Sequence, residues 1–107
     1  MSGFEERGRN EEQAYRHSEE LRFKTRNRRN RLFGQWIAET YLGLKGEAAS
    51  SYAKDVVMAD FETPGDQDML NKVRTDLTRA GQALSDHLLT KHLAEFEHVA
   101  RQQVMSE

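Results

Sequence analysis

LFGQWIAETYLGLKG, residues 32–46, decides how the rest of the chain is read. Leu32, Phe33, Trp36, Ile37 and Tyr41 recur at helical spacing and make one apolar face. Gly43 and Gly46 then end the run, because glycine closes helices in a conformation other residues avoid. The spacing predicts a helix over 19–42 that must bury this face against other elements.

Downstream, the same period returns three times, and no strand pattern or internal repeat interrupts it. A second helix is predicted over 47–61, with Ala49, Tyr52, Ala53, Val56 and Val57 as its stripe. It stops at Thr63-Pro64-Gly65-Asp66, since proline cannot continue a helix and biases the residue before it. Thr63 or Asp66 can cap a third helix with Met69, Leu70, Val73 and Leu77 on its buried face, closed by Gly81. Ser85 is a good N-cap for a fourth, whose stripe is Leu88, Leu89, Leu93, Phe96, Ala100 and Val104. Amphipathic helices with short joints predict an all-α fold, an antiparallel four-helix bundle.

Upstream the character changes. RFKTRNRRNR, residues 22–31, holds Arg22, Lys24, Arg26, Arg28, Arg29 and Arg31 and no acid. At helical spacing Arg22, Arg26 and Arg29 share the face that continues into Phe33, Trp36, Ile37 and Thr40, with Lys24, Arg28 and Arg31 roughly opposite. An arginine row entering a core is costly unless paired. So this end projects past the bundle, or acids cover the row; Asp60, Glu62, Asp66 and Asp68 are available. A solvated, salt-bridged helix end is the plain alternative to a partner-docking surface.

Residues 1–20 carry little apolar material beyond Phe4, Ala14 and Tyr15. They cannot bury enough surface to offset their ordering entropy. Yet Ser2 and Glu5 have capping-box spacing, and Glu5–Arg9, Glu12–Arg16 and Glu20–Lys24 are favourable helical pairs. Gly3 and Gly8 lower helix propensity. The expectation is a frayed, mobile N-terminal arm over 1–20 that becomes helical on a partner, attached to a bundle over 21–107.

Composition narrows the function classes. With 107 residues the chain makes one small domain. The absence of cysteine removes disulfides and thiolate metal sites and fits a reducing compartment. No apolar run is long enough for a membrane span or signal core, so a soluble, cytoplasmic protein is expected. The net charge of −2, with acids flanking the basic stretch, argues against a duplex-binding domain.

Catalytic signatures are missing. There is no phosphate-binding glycine loop, dinucleotide fingerprint or nucleophile elbow. Ser85-Asp86-His87 are adjacent on a helix, so they point apart and cannot form a triad. His87, His92 and His98 do not align on one face, and Asp60, Glu62, Asp66 and Asp68 lack a calcium-loop pattern. Trp36 reads as core. No enzyme, cofactor or metal is expected.

The N-terminal third carries a resemblance. Phe4, Arg7, Arg9, Glu12, Tyr15, His17, Glu20-Leu21, Phe23-Lys24, Arg28-Arg29-Asn30-Arg31-Leu32, Gly34 and Trp36 resemble the ζ-subunit family of alpha-proteobacteria, small inhibitors of the F-type ATP synthase. DFETPGDQDML (60–70) and the terminal RQQVMSE resemble the family's later segments. The resemblance implies a four-helix bundle whose mobile arm enters a catalytic α/β interface and blocks ATP hydrolysis. The partners would be the α and β subunits of the catalytic head, and the protein would sit peripherally on the inner-membrane enzyme, without inserting. On that implication Phe4 and Tyr15 are apolar anchors. Arg7, Arg9 and Arg16 face acids of the head, and Glu5, Glu11 and Glu12 face its bases. His17 can make inhibition depend on pH near neutrality. Arg22, Arg26 and Arg29 form a basic docking row at the shoulder.

Two other readings use the same residues. One is a regulatory bundle that binds ADP or ATP weakly through the arginine-rich end, a property also linked to the family. The other, ranked last, is nucleic-acid binding through residues 22–31.

Overall fold

The computed structural model describes the backbone of residues 2–61 and 65–107, and the side chains of residues 17–61 and 65–107. Among the described residues there are four helices: α1 (Ser2–Thr40), α2 (Gly46–Ala59), α3 (Gln67–Arg79) and α4 (Asp86–Ser106). They form an all-helical bundle in which α2 and α4 both pack along α1 and α3 packs on α2. Neighbours are antiparallel. Gly34 of α1 meets Ala53 and Val56, while Asn30 meets Asp60. Along the other side Trp36 meets His92, and Arg28 meets Gln103.

The core lies where the periodicity put it. Phe33, Ile37, Ala49, Val56, Met69, Val73, Leu77 and Leu89 are fully buried or nearly so. Trp36 sits at the core's edge in an aromatic group with Phe33, Tyr41, His92 and Phe96. Gly34 is the tightest point. A Cβ there would lie 3.0 Å from the Ala53 Cα and from two Val56 side-chain atoms. Glycine at this position lets the α1 and α2 backbones approach.

Helix ends follow local chemistry. The Ser85 hydroxyl accepts from the Leu88 amide at 3.2 Å, as an N-cap should. Gly81, with φ +73°, closes α3: its amide donates to Thr78 O, and the Gln82 amide to Leu77 O at 2.8 Å. Asp66 precedes α3, but its carboxylate makes no cap bond and turns to arginines of α1 instead. Thr63, the other candidate cap, lies outside the described residues.

Two expectations change. The first helix begins at Ser2 rather than near residue 19, so the arm's backbone continues α1 without a break. The helix runs through Gly3 and Gly8 despite their low helix propensity. The expected mobility is that of an arm over 1–20; the side chains of residues 1–16 lie outside the described ones. Leu88, placed on the buried stripe of α4, is 40 % exposed. Its neighbour Leu89 takes the core-facing position of that turn and is fully buried, and Leu88 points about 100° away from it.

Candidate partner interface

Among the side chains described on α1, His17 to Glu20 are exposed, Leu21 is half-buried, and Thr25 is the first buried position. From there the basic row meets the α2–α3 connection. Arg26 pairs with Asp60 through Nε and through Nη2, the latter at 2.9 Å, and Nη2 also donates to the Gly65 carbonyl at 2.9 Å. Its hydrogen bond with Asp60 raises the Arg26 pKa against the opposing effect of desolvation.

Arg29 goes deeper, with its side chain 7 % exposed. Its Nη2 donates to Asp66 at 2.7 Å, its Nε donates to the Asn30 side-chain oxygen at 2.9 Å, and Glu97 of α4 stands 3.8 Å away. Asn30 has no exposed surface and donates to Asp60 at 2.8 Å. Among the described residues no buried side-chain polar atom lacks a partner. Such a seam must be fully satisfied, because one missing partner would strand a buried charge or amide.

The acids expected to cover the arginine row therefore include Asp60 and Asp66. Glu62 lies outside the described residues. Asn30, which stitches the two carboxylate systems together, had no role in the sequence reading beyond its place in a motif. A polar residue amid an otherwise basic and apolar face was the available signal.

The arginines expected to form a docking row separate into three environments. Arg22 is exposed, the Arg26 side chain is 41 % exposed, and Arg29 is enclosed. Arg22, Arg26 and Arg29 line one side of a cleft of about 400 Å³ whose other wall is Glu97, Arg101 and Met105 of α4. Across α1, Arg28 pairs with Glu107 and donates to Gln103 at 3.0 Å. The backbone of α1 carries Phe4, Glu5, Arg7, Arg9, Glu11, Glu12, Tyr15 and Arg16, whose side chains lie outside the described residues. His17 is exposed on the same helix.

The remaining titratable groups have structural roles. Tyr52 donates its hydroxyl to Asp76 at 2.9 Å, and Lys72 bonds the same carboxylate at 3.0 Å. Burial, then the hydrogen bond to Asp76, raises the Tyr52 pKa well above the ordinary phenol value. Asp86 pairs with Arg74, and His92 with Glu95. Among the described residues no group of His, Asp or Glu is arranged to hold a metal ion. None of their helices is long and apolar enough to cross a membrane.

A family model described as ATPase inhibitor subunit zeta matches residues 1–103. The match takes in the N-terminal part of α1 as well as the polar seam. No curated protein and no solved structure matches the chain.

Proposed function

The chain belongs to the family of the ATPase inhibitor subunit zeta, and from that premise we propose that it blocks ATP hydrolysis by an F-type ATP synthase by inserting the N-terminal part of α1 into a catalytic α/β interface. It is a regulatory inhibitor, not an enzyme. The length of α1 supports the insertion. Its 39 residues span roughly 58 Å at about 1.5 Å per residue, and among the described side chains those from His17 to Glu20 are exposed.

In this reading Phe4 and Tyr15 fill apolar sites of the interface. Arg7, Arg9 and Arg16 meet acids there, and Glu5, Glu11 and Glu12 meet bases. His17 lies where the arm leaves the bundle. Arg22 and the open edge of Arg26 meet the rim of the head. Arg29 holds the α2–α3 turn against α1 behind them. The nucleotide and nucleic-acid readings would draw on the same arginines. Arg26 and Arg29 are already neutralised by Asp60 and Asp66, which favours the inhibitor reading.

The test is ATP hydrolysis by the purified head with the full-length protein and with a version starting at Glu20. The shortened version keeps every position that is buried among the described residues. Inhibition by the full-length protein alone is the expected result. Equal inhibition by both would place the activity in the bundle, and inhibition by neither would overturn the reading.

A further inference from the structure

The face of α1 opposite the polar seam borders an apolar groove. It runs between α1 and α2 with a volume of about 690 Å³, and Phe23, Val57 and Met58 line it. Phe23 is 56 % exposed, Met58 64 %, and the adjoining Phe61 53 %. Phe23 and Phe61 lie against each other with ring centroids 5.9 Å apart. Large apolar side chains gathered this openly on a small domain mark a contact surface.

The rim gives the groove a sign. Lys24, Arg28, Arg31 and Lys54 border it, and the one acid there, Glu107, is paired with Arg28. Lys24, Arg31 and Lys54 are exposed and form no ion pair with any described residue. The basic seam on the other face is neutralised; here three of the four rim cations are unpaired among the described residues. Lys24 to Arg31 covers about two helical turns, roughly 10 Å, on one bank, and Lys54 stands on the other. An antiparallel helix pair with an apolar floor and cationic banks matches a third helix with a narrow apolar stripe flanked by carboxylates.

We propose that this groove seats an acidic amphipathic helix of the catalytic head, so that the bundle is gripped by α1 and α2 while the N-terminal end of α1 acts. The proposal rests on the inhibitor reading above and adds a second point of attachment. Cations on both banks draw the acidic helix in, and the apolar floor slows its departure. The close pairing of Phe23 with Phe61 leaves the two rings in contact with each other rather than splayed to stack on bases, which favours a helix over RNA.

The experiment measures binding of labelled full-length protein to the purified head at low and high salt, alongside inhibition. Two variants alter the groove: Arg31→Glu combined with Lys54→Glu, and Met58→Ser. Arg79→Glu combined with Lys91→Glu changes net charge equally at exposed positions elsewhere. The expected result is a rise of about tenfold in Kd for each groove variant, with a shallower salt dependence for the charge reversal. The control pair binds as the unaltered protein does. A photo-crosslinker at Met58 joins an acidic helix of the head. Three results overturn the groove and leave the inhibitor reading standing: groove variants that bind and inhibit like the unaltered protein, a crosslink to a second copy of the chain, or capture of RNA. Unaltered protein that neither binds nor inhibits overturns both.

Discussion

Asn30 of α1 and Asp60 at the end of α2 are joined at 2.8 Å in a site closed to solvent. The same Asp60 carboxylate receives Arg26, so one acid satisfies a buried amide and a partly buried guanidinium. Asp60→Ala should therefore destabilise the bundle by about 3 kcal/mol, a large share of a small domain's stability. Urea unfolding gives the number. In a double-mutant cycle with Asn30→Ala the two losses should be clearly non-additive. Additive losses would mean the pair is not coupled.

Gly34→Ala should destabilise by about 1–2 kcal/mol. Its Cβ would press on the Ala53 backbone and on Val56, both held between helices. Overpacking costs about 1–3 kcal/mol, and the gain in helix propensity returns up to about 1 kcal/mol. A melting temperature at or above that of the unaltered protein would refute the close crossing.

Alkaline stability should depend on Tyr52. Its folded-state pKa is raised by burial and by Asp76. The folded protein then keeps a proton that the unfolded chain releases near pH 10. The stabilisation is complete below that pH and is lost as pH rises beyond it. Tyr52→Phe should lose less stability than the unaltered protein between about pH 10 and 11. Parallel pH profiles would show that the phenol does not titrate differently in the two states.

Phe4→Ala combined with Tyr15→Ala should raise the half-inhibitory concentration for ATP hydrolysis by about tenfold or more, as expected when two anchors are removed. The melting temperature should not move if the two side chains act only as anchors, which separates lost binding from lost stability. Unchanged inhibition would discard these two residues as anchors.

Much of the architecture was legible because it is written locally. The apolar stripe from Phe33 to Ile37, the Ser85 cap and the Gly81 closure each depend on residues within two turns, where spacing and side-chain chemistry suffice. The family's motif string was legible in the same way. Local rules failed where two signals competed. Val57 and Met58 are as apolar as Ala53 and Val56, yet the second pair is covered while the first lines an open groove, with Phe61 exposed beside it against Phe23. Periodicity shows that an apolar face exists; it does not show which of two faces a neighbouring helix will take.

By itself the sequence determined that the chain is helical, where three of the joints fall, and that its arginine row needed either solvent or acids. Only the tertiary structure decided which. Arg26 and Asp60 are 34 positions apart, and Arg29 and Asp66 are 37, separations at which no local periodicity links them. Their pairing depends on α2 returning antiparallel along α1, close enough at Gly34 for the turn after α2 to reach the row. The physical reason is that charge pairing is decided by distance in space, whereas sequence periodicity reports only which side of a helix a residue is on.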